Sequence, residues 1–295
     1  MMRVRRSLVW VNGYDMDKLK AAIDSECDTI VLDLEDGVTV PQKAEARKKT
    51  FDALKNWDFK GKERAVRVNG MDTPFFKDDL EVLEALPDAV RLPKCETVEY
   101  VLAMDKILGD LEKKHGLPEN SIEIILMIET PLGIMNCYDL ARCCKRVTAM
   151  GVGMEDLTAS MQVTRNYELR SQDLLYARQK MILSCKAAGV QAIDSGVLFN
   201  GDLDFYYQDC LNDKRDGFEG RSVGDLNHIP LVNKAFSPSE KEIDWAERII
   251  KAYNEATEKG QSDVYVDGKY VDPPVVAKAT LIMDRKRRIE EKSKK

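Results

Sequence analysis

The sequence predicts an α/β fold: a (β/α)8 TIM barrel followed by a C-terminal extension of helix and hairpin. Three observations point there. Eight short β-branched runs recur along the chain, the last of them weak. Segments with helical spacing lie between them. Charged residues collect where the runs end. Strands separated by single helices pair in parallel through right-handed crossovers. About eight such units within roughly 230 residues close a barrel more readily than they build an open sheet. An open doubly wound sheet is the alternative, but no GxGxxG follows a strand to support dinucleotide binding.

The runs are Ser7–Val11, Thr29–Leu34, Ala65–Asn69, Ala89–Pro93, Glu123–Glu129, Arg146–Val152, Val190–Asp194 and, more weakly, Gly217–Val223. Between them, helical patterns cover Asp15–Ser25, Lys77–Leu86, Val98–His115, Tyr138–Lys145 and Leu169–Ala188. The barrel domain is expected over residues 1–236. Residues 237–295 form the extension. Ser237-Pro238-Ser239 opens a long helix over Glu240–Lys259. Asp267-Gly268, set among alternating apolar residues, reads as a hairpin turn. A last helix is expected over Val275–Arg288. This extension is long enough to reach a neighbouring subunit.

Composition narrows the function. With 44% hydrophobic and 33% charged residues, the chain can form a sizeable core under a well-solvated surface. A formal net charge of -6 argues against nucleic-acid binding, so an anionic ligand needs local positive charge. The seven cysteines are odd in number and lack CxxC spacing, as expected of reduced thiols in a cytoplasmic protein. Only two histidines are present, His115 and His228, which makes a histidine-rich metal site or a Ser-His-Asp triad a poor fit. The apolar run Leu8-Val9-Trp10-Val11 is too short for a secretory signal. No stretch approaches the roughly 20 apolar residues of a membrane span.

Five charged clusters mark the ends of the runs: Asp33-Leu34-Glu35-Asp36-Gly37, Arg67-Val68-Asn69-Gly70, Leu92-Pro93-Lys94, Ile128-Glu129-Thr130-Pro131 and Gly153-Met154-Glu155-Asp156. In a parallel barrel they share one rim. Glu129 and Asp156 end successive strands, and two carboxylates so placed can hold a hard divalent cation such as Mg2+.

The order Leu-Glu-Asp-Gly, Arg-Val-Asn-Gly, Leu-Pro-Lys, Ile-Glu-Thr and Gly-x-x-Asp-Leu resembles the citrate lyase beta subunit family, within the HpcH/HpaI aldolase group. Gly217-Phe218-Glu219-Gly220, Phe236-Ser237-Pro238-Ser239 and Asp267–Pro273 extend the resemblance from Arg6 to about Ala279. It implies a Mg2+-dependent carbon–carbon lyase that cleaves or forms a 3-hydroxyacyl-CoA thioester such as citryl-, malyl- or citramalyl-CoA. The products are an acyl thioester, on CoA or an acyl carrier, and a 2-oxo acid. Homotrimers or homohexamers are implied. Glu129 and Asp156 match the metal ligands, and Glu129 also borders the substrate. Arg67 matches the arginine facing the substrate oxygens, with Lys94 beside it. Glu35 and Asp36 match an acidic pair acting through water or on Arg67. Asp272 matches a C-terminal aspartate that reaches a neighbour's site.

Structural roles remain open for the same residues. Glu129 or Asp156 can cap a helix, Arg67 can simply pair with Asp36, and Asp272 can cap the last helix. A thioesterase or free 2-oxo-acid aldolase on the same metal site, or a non-catalytic subunit of a lyase complex, are the alternative functions. In two loops the chain departs from the family pattern. Arg221 replaces a lysine, with Gly224-Asp225-Leu226 in place of Ile-His-Pro, and Val11-Asn12-Gly13 replaces Val-Pro-Gly. Arg5, Arg6 and Arg221 are the charges near these loops that could meet phosphates.

Overall fold

The computed structural model describes residues 3–166, 172–195, 201–261 and 263–293. The chain divides into two compact units, one spanning Arg5–Val232 and the other taking in Asn233–Lys295 with the N-terminal residues up to Val4.

The larger unit is a closed parallel barrel. Its strands are β1 (Ser7–Asn12), β2 (Thr29–Asp33), β3 (Glu63–Arg67), β4 (Ala89–Leu92), β5 (Glu123–Ile128), β6 (Val147–Val152), β7 (Gln191–Asp194) and β8 (Gly220–Val223), in sequence order, with β8 pairing back to β1. The intervening helices are α1 (Met16–Asp24), α2 (Lys43–Asn56), α3 (Phe76–Leu83), α4 (Val98–His115), α5 (Pro131–Arg142), α6 (Met154–Ser160), α7 (Leu175–Ala188) and α8 (Leu203–Asp216), with α9 (Ile229–Phe236) after β8.

Local signals start and stop these elements. Asp15, Thr97 and Thr130 cap α1, α4 and α5 with side-chain oxygens, and Pro131 occupies the first turn of α5. Gly116 and Gly189 end α4 and α7 in the left-handed region. The segment Thr130–Gly133, with its capping threonine and proline, opens α5. Helix α7 begins at Leu175, and the expected helical residues 169–171 lie outside the described residues.

Helices α2 and α8 escape the sequence pattern for a physical reason. The buried face of α2 is Lys43, Ala46, Thr50, Ala53 and Leu54, and that of α8 is Tyr206, Asp209, Cys210 and Asp213. Neither forms an apolar stripe.

The barrel interior is layered. At the N-terminal end Arg5 is buried against the first residues of alternate strands. Its Nε donates to Glu63 at 2.8 Å and its Nη1 to Gln191 at 3.0 Å, and it also pairs with Glu123. Above lies an apolar layer of Leu8, Val31, Ala65, Ala89, Ile125, Ala149 and Ile193, with Trp10 packed on it. By strand alternation the next inward positions carry Asp33, Arg67, Arg91 and Met127.

The smaller unit holds α10 (Glu240–Glu258), a hairpin of β9 (Tyr265–Val266) and β10 (Lys269–Tyr270), and α11 (Pro273–Ser293). Ser239 and Glu242 close a reciprocal capping box at the start of α10. Asp267 and Gly268 both take positive φ, as a two-residue hairpin turn requires. Ala246, Ile249, Ala256, Val264, Val271 and Ala279 form the core of this unit.

None of the seven cysteines forms a disulfide. Both histidines serve packing and surface roles. His228 stacks on Tyr206 at 4.0 Å, and His115 meets Glu84 at 2.7 Å. Among the described residues no helix is long and apolar enough to cross a membrane.

Candidate active site

The C-terminal ends of β2, β3, β4, β5 and β6 bring the five charged clusters onto one rim. Asp33 and Arg67 are direct partners in the β2–β3 register. Arg67 donates to Asp33 through Nε at 2.6 Å and Nη2 at 2.7 Å. Asp36, the alternative partner, also pairs with Arg67 but at 3.8 Å from Nη1 and from a side chain 59% exposed. Alternation explains why Asp33 is the closer partner. Val31 and Asp33 share the inward parity of β2, whereas Asp36 follows in the turn.

Asp33 also accepts the backbone N–H groups of Glu35 and Gly37, each at 2.9 Å. Burial would raise its carboxyl pKa. The Arg67 guanidinium and these two amides outweigh burial and hold it below the ordinary range.

Glu35 sits 2.8 Å from Arg67 Nη1 without hydrogen-bond geometry, and its Oε2 is buried without a hydrogen-bond partner. Burial pushes its carboxyl up to about 8, Arg67 opposing, with Asp36 and Glu129 adding to the rise.

Lys43, unremarked in the sequence, holds this loop from below. Its Nζ donates to the carbonyls of Leu34 and Glu35 and to the side chain of Asn69, at 2.9, 3.0 and 2.8 Å. Asn69 in turn donates to Asp79 and to Leu34.

Glu129 follows β5 and is 2% exposed. Its Oε2 accepts the N–H of Lys94 at 3.0 Å. Lys94 adopts φ 49°, a left-handed conformation uncommon for lysine, which aims that N–H at the carboxylate. Gly153 makes room for the other oxygen, since a Cβ there would lie 2.5 Å from Oε1. Burial raises the Glu129 pKa. Arg67 opposes the rise, and the charge of Asp156 reinforces it. Asp156 itself lies in the first turn of α6, half-buried.

A buried carboxylate that is destabilised as an anion by burial and by the charge of a second carboxylate suits a hard divalent cation. The Lys94 ammonium is half-exposed, 3.8 Å from Glu35 Oε1. Burial would lower its pKa, but Glu35, Asp36, Asp156 and Glu129 outweigh that and raise it. That is the reverse of what a Schiff-base lysine needs.

Three candidate charges fall away from the site. Arg5 is committed to Glu63 and Glu123, and Arg6 donates to Asp28 at 2.8 Å. Arg221 points outward from β8 into α8, where it is fully buried against Asp209 and stacks on Tyr206. None of them is free to meet a phosphate. Asp272 belongs to the smaller unit, where its Oδ1 accepts the N–H of Val275 at 3.1 Å and caps α11.

The rim therefore carries the features of the implied family in the implied order. A family model described as HpcH/HpaI aldolase/citrate lyase matches residues 6–225. The chain belongs to the HpcH/HpaI aldolase/citrate lyase family. Citrate lyase subunit beta of Leuconostoc mesenteroides subsp. cremoris is 34% identical over 282 residues, 95% of this chain and 93% of that protein. Mitochondrial citramalyl-CoA lyase of Rattus norvegicus is 32% identical over 300 residues, 98% of this chain and 88% of that one. Among solved structures, CitE from Mycobacterium tuberculosis in complex with magnesium, acetoacetate and coenzyme A superposes with a TM-score of 0.78 at 25% identity. That match covers 96% of this chain and 98% of the other. For this HpcH/HpaI member, the likeness spans both units rather than the barrel alone.

Proposed function

We propose that this protein is a Mg2+-dependent carbon–carbon lyase. It cleaves or forms a 3-hydroxyacyl thioester of the citryl-, malyl- or citramalyl-CoA type, giving an acyl thioester and a 2-oxo acid. Two relatives bear lyase names, and the CitE structure was solved with magnesium and coenzyme A. The observation that carries the reading here is Glu129. It is an almost fully buried carboxylate held by a single backbone N–H and crowded by the charge of Asp156.

Glu129 and Asp156 would hold the Mg2+, which supplies Lewis-acid polarisation of the substrate oxygens. The remaining work falls to the chain. Breaking the bond leaves negative charge on the thioester oxygen. Arg67 has N–H groups beyond the two given to Asp33 and can donate them to that oxygen. Asp33 fixes its plane through two hydrogen bonds. Glu35, in its ionised form, can take the hydroxyl proton through water. Lys94 lends its ammonium to the substrate carboxylate side. Asp272, delivered by another subunit of a homotrimer or homohexamer, would exchange the proton at the acyl carbon. Seven unpaired thiols accord with a cytoplasmic location.

The test is purified protein with Mg2+ and each acyl-CoA. Release of acetyl-CoA or a homologue with a 2-oxo acid is expected, and free CoA without a 2-oxo acid would mean a thioesterase. Glu129→Gln and Asp156→Asn should each abolish turnover and remove the thermal stabilisation that Mg2+ gives the wild type. If both variants keep full activity, the reading is wrong.

A further inference from the structure

Two neighbouring thiols stand apart from the chemistry above. Five of the seven cysteines are buried, while Cys143 and Cys144 are half-buried in the turn that joins α5 to β6. This turn lies at the end of the barrel opposite the rim, because β6 starts just after it at Val147. Cys143 caps the C-terminus of α5, and its Sγ is 3.2 Å from the Leu140 carbonyl. It also hydrogen-bonds to the Cys144 sulfur. A thiol has a single proton, so the Cys143 S–H turns to Cys144 when that sulfur carries negative charge. The backbone N–H groups of Arg146 and Val147 donate to the same sulfur. The Cys143 thiol, with these two amides, holds Cys144 down at about 7, against burial and the charge of Asp105. Asp105 is itself tied to Arg146 Nε at 2.7 Å. Burial instead pushes Cys137 and Cys210 up to about 12, and raises Cys95 and Cys185 as well. The thiolate is the nucleophile, and exchange with a disulfide is fastest for a thiol that ionises near ambient pH.

Cys144 also has room for a reagent. It opens on a cavity of about 560 Å³ between α4, the loop after α4 and the Cys144–Arg146 turn. Cys143 is not part of its wall. Lys106, Lys113 and Lys145 line the cavity together with Asp110 and Glu119. That mixture of charges suits a small zwitterion better than a plain anion. Glutathione, with two carboxylates and one ammonium, has the complementary pattern.

We infer that Cys144 is a thiol-exchange site that takes a glutathionyl group from a glutathione-type disulfide held in this cavity, with Cys143 as the positioning residue that donates to its sulfur. In the step, Cys144 Sγ attacks one sulfur of the disulfide. The S–S bond of the reagent breaks as the new S–S bond forms, and the departing thiolate takes a proton from water. The Cys144 sulfur is oxidised and the departing half is reduced. Cys143 does not go on to close an internal bridge. Adjacent Cα atoms lie about 3.8 Å apart across a trans peptide, short of the roughly 4.4–6.8 Å of ordinary disulfides. The mixed disulfide is therefore the end product. The site is independent of the lyase reading of the rim.

The experiment treats the full chain, folded and reduced, with glutathione disulfide and locates the adduct by peptide mass. One glutathionyl group on Cys144 is expected, and Cys144→Ser should take up none in the same time. The rate should rise with pH through a midpoint near 7. In Cys143→Ala the midpoint should move toward the value of about 8.5 of a free cysteine. Exchange at pH 7 should then slow by about threefold, since the lost thiolate fraction is partly offset by a more basic sulfur. Cys143→Ser keeps a donor and should keep the midpoint of wild type. Hydroxyethyl disulfide, which is uncharged, reports on the cavity. Measured against a free cysteine peptide, Cys144 should favour glutathione disulfide over it by about three- to tenfold, the worth of one or two exposed ion pairs. A first adduct on another cysteine, no adduct on the folded protein, or a wild-type midpoint near that of free cysteine overturns the site. A Cys143→Ala midpoint equal to that of wild type overturns the role of Cys143, and a preference equal to that of the free peptide overturns the role of the cavity. Adduct location and pH profile of the wild type decide the site even where a variant does not fold.

Discussion

Asp33 and Arg67 form a two-bond fork across adjacent strands, Nε at 2.6 Å and Nη2 at 2.7 Å, with both side chains buried. The fork sets the plane of the guanidinium and leaves its remaining N–H groups for the rim. Asp33→Asn keeps an acceptor for only one of the amides of Glu35 and Gly37, which use different carboxylate oxygens, and removes the counter-charge. Losing one partner of a buried pair costs about 3–5 kcal/mol. Misplacing an oxyanion donor costs about 100- to 1000-fold in rate. Asp33→Asn should therefore show a lowered melting temperature and a kcat reduced by that order. The double variant Asp33→Asn/Arg67→Met removes the stranded charge, so it should recover much of the stability and none of the turnover. Recovery of activity in the double variant would show that Arg67 serves only the fold.

Glu35 gives a pH prediction for the metal-free protein. Its folded-state pKa is raised from about 4.5 to about 8, mainly by burial. The folded state thus favours the protonated carboxyl. The stability tied to this proton is fully present below about 4.5 and is lost as pH rises through about 8. Glu35→Gln mimics the protonated form at every pH. Its melting temperature should match wild type near pH 4.5 and exceed it increasingly toward pH 8.5, by the equivalent of a few kcal/mol at most, at roughly 1.4 kcal/mol per pKa unit. Other groups titrate alike in both proteins and cancel in the difference. Parallel melting curves across this range would mean that Glu35 ionises normally.

The residues whose placement was legible in the sequence are those whose position follows from the strand they end. Glu129, Arg67 and Asp156 stand at or just past strand ends, and β-branched runs mark those ends clearly. Asp33 was hidden because its neighbours Glu35 and Asp36 carry the same charge, and only strand parity separates them. That parity was available: 31, 33 and 35 alternate with 32 and 34, and Val31 lies in the apolar layer. The same count from Ala89 turns Arg91 inward. Arg221 misled for the opposite reason. It replaces a loop-flanking lysine of the family pattern, but its parity faces α8, whose acidic residues absorb it. Helices α2 and α8 were illegible because ion pairs and small residues fill their buried faces where periodicity analysis looks for an apolar stripe.

Asp272 separates a capping role from a chemical one. Its side chain caps α11 through Val275, and asparagine caps a helix about as well as aspartate. Asp272→Asn should therefore melt like wild type, whereas Asp272→Ala should lose about 1 kcal/mol. If the carboxylate completes a neighbour's site, Asp272→Asn should also be deficient in turnover and in exchange of the acyl-carbon proton with solvent. Glu129→Gln is expected to lose turnover for a different reason, so the two defects would lie in different chains of one shared site. Subunits of the two variants, exchanged at equal amounts, should recover about a quarter of wild-type activity, because sites with both native carboxylates form at that statistical frequency in a closed ring. Exchange confirmed by native mass measurement without any recovered activity would confine Asp272 to its helix.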